Sequence, residues 1–200
     1  MKRVPILLLA LLIFVVTAIP SLAHQPFFED KDFTLAQPYR VKDATISTAV
    51  YATLMDAQDV DYYSFTGKKG QRILLSMTIP QVAGQENFAP EMALLGPGLP
   101  AGRLPARVSA PRGAGVRLLP SLQGETTSFY EPFSRTSYWE RQEERVTLPA
   151  DGVYTVAVWH HKGQLGRYTF VIGDRERLGG DPAFGRKLRS FWTPVPTAGE

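Results

Sequence analysis

Three histidines, His24, His160 and His161, are the nitrogen ligands this 200-residue sequence offers, and it contains no cysteine. Should the chain be cut after Ala23, His24 becomes the first residue, and its free amine and imidazole can chelate a single ion. Copper is the first-row divalent metal that nitrogen donors hold best. His160 or His161 is then the candidate third ligand. Neighbouring strand residues point to opposite faces, so only one of that adjacent pair would reach a shared site. Oxygen ligands form two runs, Glu29-Asp30-Lys31-Asp32 and the set Asp56, Asp59 and Asp61. A hard cation such as calcium takes six to eight oxygens, and Asp59 and Asp61 are the candidate ligands, although neither run has the spacing of an EF-hand loop. The competing role for Asp56, Asp59 and Asp61 is turn chemistry, with carboxylates accepting from nearby backbone amides.

The densest unusual stretch is 125–139, where Phe129, Tyr130, Phe133, Tyr138 and Trp139 crowd around Glu131 and Arg135. Exposed, such rings would grip an extracellular polymer or an envelope protein. Tyr130, Glu131, Phe133, Arg135, Tyr138 and Trp139 are therefore the candidate ligand contacts. Buried, they would plug one end of the fold, with Glu131 and Arg135 pairing to fix the loop. A second long loop, 96–115, carries Arg103, Arg107 and Arg112 among prolines and glycines and reads either as an anion-binding loop or as a solvated one. Catalytic motifs are missing. The sequence has no G-x-S-x-G elbow, H-E-x-x-H helix, P-loop or dinucleotide fingerprint, and Glu143-Glu144 reads as a solvated face, so a non-enzyme is expected.

The elements that would position these residues are mostly strands. Gly 17, Pro 16 and 11% aromatics suit an ordered β protein rich in turns. Lys2 and Arg3, a long apolar run and Ser21-Leu22-Ala23 form an export signal over residues 1–23. Its removal takes the formal charge from +3 to +1, which gives no field for nucleic acid. The expected home is periplasm, cell surface or medium, with membrane anchoring if the segment is retained. After an extension over 24–44, period-two patterning predicts strands at 46–54, 61–66, 72–79, 92–95, 116–119, 145–148, 153–159 and 167–172. Strands 61–66 and 72–79 are expected to pair as a hairpin through Gly67-Lys68-Lys69-Gly70. Their inward faces would carry Val50, Ala52, Leu54, Phe65, Ile73, Leu75, Met77, Tyr154, Val156 and Val158. The prediction is an all-β, antiparallel β-sandwich over 45–178.

Residues 179–200 change character. Asp181-Pro182 suits a helix start, and Phe184, Leu188, Phe191 and Trp192 recur on one face. Such a short basic helix needs a surface: an anionic membrane, a partner protein or its own sandwich.

Asp59-Val60-Asp61-Tyr62-Tyr63-Ser64-Phe65, Leu94-Leu95-Gly96-Pro97-Gly98, Leu148-Pro149-Ala150-Asp151-Gly152-Val153-Tyr154 and Gly166-Arg167-Tyr168-Thr169-Phe170 resemble the bacterial pre-peptidase C-terminal domain. That resemblance implies a jelly-roll-like sandwich of a family in which some members bind calcium or an extracellular polymer. It also implies core-capping hydroxyls on Tyr154 and Tyr168. His24 in an exported chain resembles, on that one residue, the histidine brace of exported copper proteins. The sequence is thus read as an exported, non-catalytic binding or adhesion module of the envelope. The alternatives are a copper-binding protein built on His24 and a structural envelope subunit held through its C-terminal helix.

Overall fold

Alternation of apolar and polar residues sorts the chain into two facing sheets. A computed structural model describes residues 24–119, 126–132 and 134–195. The expected signal segment, Phe133 and the C-terminal five residues lie outside the described part. Strands run in the order β1 (Gln25–Phe28), β2 (Tyr39–Arg40), β3 (Thr48–Leu54), β4 (Asp61–Gly67), β5 (Arg72–Pro80), β6 (Glu91–Gly96), β7 (Gly115–Leu119), β8 (Ser128–Glu131), β9 (Thr136–Thr147), β10 (Gly152–Trp159) and β11 (Gly166–Ile172). A helix, α1 (Phe184–Phe191), closes the described chain. One sheet has the order β1-β3-β11-β5-β9-β8 and the other β2-β4-β10-β6-β7. The fold is an all-β sandwich.

Its sheets are mixed rather than wholly antiparallel, because β1 joins β3 and β2 joins β4 in parallel. Residues 24–44 thereby supply an edge strand to each sheet. The expected hairpin does not form. The turn at Gly67-Lys68-Lys69-Gly70 passes from one sheet to the other, so β4 pairs with β10 while β5 pairs with β11 and β9. Period two fixes which face a strand buries and is silent about which neighbour it chooses.

Between the sheets lie Val50, Ala52, Leu54, Tyr63, Phe65, Ile73, Leu75, Met77, Tyr154, Val156, Val158, Tyr168 and Phe170, all buried as the alternation requires. The Tyr154 hydroxyl donates to the carbonyls of Pro97 and Ala150, tying two turns to the core. Gly96 makes room for that ring, since a Cβ there would sit 2.3 Å from Tyr154 Cδ1. A bulge between Met77 and Thr78 lets β9 bury Arg141, whose guanidinium donates to the Phe88 and Glu86 carbonyls.

Both outer faces are covered. Loop 96–115 lays Leu104, Val108, Ala110 and Ala114 over Tyr62, Ala93, Leu95, Ala157 and Trp159, so its apolar side chains cover the sheet while Arg103 and Arg112 stay exposed. Helix α1 packs Leu188 and Phe191 on Ala49, Tyr51, Tyr138 and Val171, with Phe184 and Trp192 half-buried beside them. This corrects the expected membrane contact for Leu188 and Phe191, which are buried on the chain's own sheet, while Phe184 and Trp192 are only partly covered by it.

Candidate functional site

The two carboxylate runs that are about 30 residues apart in sequence meet in space. Parallel pairing of β1 with β3 carries Glu29 forward, where its N–H donates to Tyr51 and its Oε2 accepts from the Thr53 amide at 2.9 Å. The side chain thus takes the rung that the backbone ladder would have filled next. Asp61 opens β4 and shares the inward face of Tyr63 and Phe65, which leaves it with no solvent exposure. One carboxylate oxygen each from Glu29, Asp32 and Asp61 lies within 4.8 Å of the other two. Glu29 and Asp32 line a cavity of about 570 Å³ whose walls also include Asp56, Asp59, Thr53, Tyr62 and Arg107, while the wholly buried Asp61 is not among its lining residues.

Hydrogen bonds divide the cluster into structural and uncommitted oxygens. Asp56 Oδ1 accepts from the Gln58 amide at 2.7 Å and Asp59 Oδ2 from the Met55 amide at 2.6 Å, which is the turn chemistry expected of them. Asp61 Oδ2 accepts from the Tyr168 hydroxyl at 2.5 Å, and that hydroxyl lies 2.7 Å from Tyr63 Oη. Asp61 Oδ1, wholly buried, has no donor among the described residues other than the Glu29 carboxyl when that is protonated. It faces the Glu29 carboxyl. Arg107 lines the same cavity, but its guanidinium donates to the carbonyls of Ala57 and His160. Among the described residues no lysine or arginine makes an ion pair with Glu29, Asp32, Asp59 or Asp61.

Burial and mutual repulsion set the titration of this cluster. Burial pushes the Glu29 carboxyl up to about 7, with the charges of Asp59 and Asp32 adding to the effect and the Thr53 amide opposing it. Asp61 is raised well above the ordinary aspartate value, first by burial and then by the Glu29 charge. Asp59 is raised by burial and by Asp32 and Asp56. Facing carboxyls of this kind share a proton or take a cation. Oxygens bound to one calcium at about 2.3–2.6 Å lie at most about 5 Å apart, so three carboxylate oxygens within 4.8 Å of one another fit a single hard ion. Glu29, Asp32 and Asp61 would hold it, and the uncommitted Asp61 oxygen is the observation that favours the fit.

The histidines do not converge. His24 stands beside β3's first residues, its Nδ1 against Ser47 Oγ, and burial lowers its pKa. His160 follows β10 in the loop that ends where Gly166 pairs with Leu54, at the other end of β3. A seven-residue strand separates them by roughly 20 Å, so His24 cannot share a copper ion with His160 or His161. The expected copper site that joins the His24 amine and imidazole to one of His160 or His161 is corrected on that ground. His160 is buried, stacks on Phe88 and His161, and accepts from the Gln164 amide through Nδ1. Burial and then the nearby charges of His161, Arg107 and Lys162 bring its pKa down to about 4, so it is a neutral packing residue. His161 is exposed, 3.8 Å from Glu91.

The expected aromatic patch also dissolves. Residues 128–139 are not a loop but the paired strands β8 and β9. Period two therefore sends adjacent rings to opposite faces. Tyr138 is buried beneath α1, hydrogen-bonded to Tyr51 and edge-on to Trp192, and Trp139 is half-buried against the main core. Phe129 and Tyr130 remain exposed, as does Arg135, which has a positive φ of 56°. Glu131 accepts from the Ser134 amide and closes the turn. Phe133 lies outside the described residues.

No family model matches the chain, and no curated protein sequence does. The solved structures similar to it include the following three. A periplasmic inhibitor of g-type lysozyme from Aeromonas hydrophila shares 14% identity over 76% of this chain and 98% of its own, with a TM-score of 0.39. The pre-peptidase C-terminal domain of a Bacillus anthracis collagenase shares 11% identity over 68% and 93%, with a TM-score of 0.39. A surface-associated copper-binding protein of Methylomicrobium album shares 8% over 76% and 99%, with a TM-score of 0.32. The second of these is a member of the family that the sequence resembles. No helix among the described residues is long and apolar enough to cross a membrane.

Proposed function

We propose that this chain is an exported, non-catalytic binding module of the envelope whose site is the acidic cavity, with a calcium-class cation held by Glu29, Asp32 and Asp61. The observation that carries the reading is the buried Asp61 Oδ1, whose one facing partner is a second buried carboxyl. Once both carboxyls are ionised that oxygen is orphaned, at a cost of about 1–3 kcal/mol, and a cation would recover that cost while also cancelling the repulsion. Thr53 and Tyr168 act as positioning residues, each fixing one oxygen of a ligand so that the other faces the cluster.

Thermal unfolding in chelator and in calcium tests the proposal. A ligand at 100 times its Kd stabilises by about 2.7 kcal/mol, which for a chain of this size raises Tm by about 5–10 °C. Asp61→Asn should abolish the rise. Identical melting in chelator and in millimolar calcium would refute the reading.

A further inference from the structure

Four strands end the two sheets, and three of them are protected. The outward side of β1 is taken up by the segment before α1, where the Asp181 amide donates to the Pro26 carbonyl. Strand β2 is two residues long. Loop 96–115 covers β7, with the Val116 amide donating to Pro100. The fourth, β8, is different. Its partner on one side is β9, and ladder phase follows from two bonds: Glu140 N–H to Thr127 O, and Gln81 N–H to Ser137 O. Thr127 therefore bonds inward, while Tyr130, opposite Ser137, turns its backbone groups outward, as does Ser128. Among the described residues nothing accepts from or donates to those outward groups of Ser128 and Tyr130. The stretch Thr126 to Tyr130, which carries these outward groups, has no charge and no proline, and the devices that usually blunt an edge, here Glu131 and Pro132, stand only at the strand's end.

We infer that β8 pairs with β8 of a second copy, antiparallel about a two-fold axis at Phe129. The register is dictated by the outward groups. Ser128 must oppose Tyr130 of the other copy and Tyr130 its Ser128, giving four backbone hydrogen bonds. Phe129 then faces Phe129 across a non-hydrogen-bonded site, where Cα atoms lie about 4.5 Å apart. Glu131 faces Thr127, so no like charges meet. On each side Phe129 already stacks on Tyr138 at 6.4 Å, and Tyr138 meets Trp192 at 5.1 Å, so pairing joins two aromatic rows into one. The cavity is undisturbed. Glu29 leaves the opposite edge of the same sheet, five strand spacings or about 24 Å away, so a dimer would present two open acidic sites. This inference is independent of the cation reading.

The absence of native cysteine makes the register directly testable. Phe129→Cys places two sulfurs at a separation that suits a disulfide, whereas Tyr130→Cys faces a serine. Under mild oxidation the mature chain carrying Phe129→Cys should form covalent dimers at least roughly tenfold faster than Tyr130→Cys. Leu118→Cys on the covered edge, 55% exposed, sets the rate of random collision. Phe129→Lys in the otherwise unchanged chain should remove concentration-dependent association in sedimentation velocity while leaving Tm within about 1 °C. Equal crosslinking rates for the three cysteine variants, or association that survives Phe129→Lys, would overturn the dimer.

Discussion

Glu29→Gln is expected to act with opposite signs in the absence and presence of calcium. The amide keeps an oxygen for the Thr53 N–H but removes a charge from the cluster. In the folded chain burial pushes the Glu29 carboxyl up to about 7, against an ordinary value of 4.5. Between those pH values the folded state keeps a proton that the unfolded state has lost. Without cation, stability therefore falls as pH rises through that window and is flat above it. The span of about 2.5 pH units sets a ceiling of about 3 kcal/mol, at 1.36 kcal/mol per unit. His160 opposes this trend, because its lowered pKa makes stability rise with pH over about 4 to 6.5. The difference between variant and parent cancels the histidine and leaves Glu29 together with the effect of its charge on Asp61. Urea unfolding followed by tryptophan fluorescence, in chelator at pH 5 and pH 8, should show Glu29→Gln more stable than the parent by about 1–3 kcal/mol at pH 8 and little changed at pH 5. In millimolar calcium at pH 8 the order should reverse. A variant less stable than the parent in chelator at pH 8 would refute the claim that buried carboxylate repulsion strains this site.

Four other substitutions separate core from surface. Tyr168→Phe removes the hydroxyl between Asp61 and Tyr63 and should cost about 1.5–3 kcal/mol by denaturant unfolding, with loss of cation affinity. Tyr138→Ala should cost about 3–5 kcal/mol, while Tyr130→Ala, 56% exposed, should stay within about 0.5 kcal/mol. Leu188→Ala should cost about 2–5 kcal/mol and speed proteolysis after residue 180, because α1 is held by packing on the sheet.

What the sequence made legible follows from what alternation encodes. Val50, Ala52 and Leu54, or Ile73, Leu75 and Met77, announce one buried face each, and all are buried. The partner of a strand is set by interactions distant in sequence, so the glycine turn after β4 read as a hairpin although it crosses between sheets. The aromatic run failed for a related reason. Read as a loop, Tyr138 and Trp139 share a surface; read as β9, they point apart. Asp61 was legible as a candidate cation ligand, and its inward position follows from the same rule, since it alternates with Tyr63 and Phe65. Its meeting with Glu29 and Asp32 depends on the parallel β1–β3 register, which no local pattern in residues 24–44 displays. The helix face was legible, and its target, an apolar stripe of Ala49, Tyr51 and Val171 on the outside of a sheet, was not.

Calorimetric titration of calcium into the chain beginning at His24, at pH 7.5 and stripped of metal, bears most directly on the cation site. Saturation at one ion per chain is predicted, with a Kd at or below about 10⁻³ M, the weak end for extracellular modules, and with release of the proton shared by Glu29 and Asp61. Asp61→Asn should lose the binding heat while keeping the far-UV circular dichroism of the parent. Absence of binding up to about 10 mM calcium, or unchanged affinity in Asp61→Asn, would contradict a site built on that buried carboxylate.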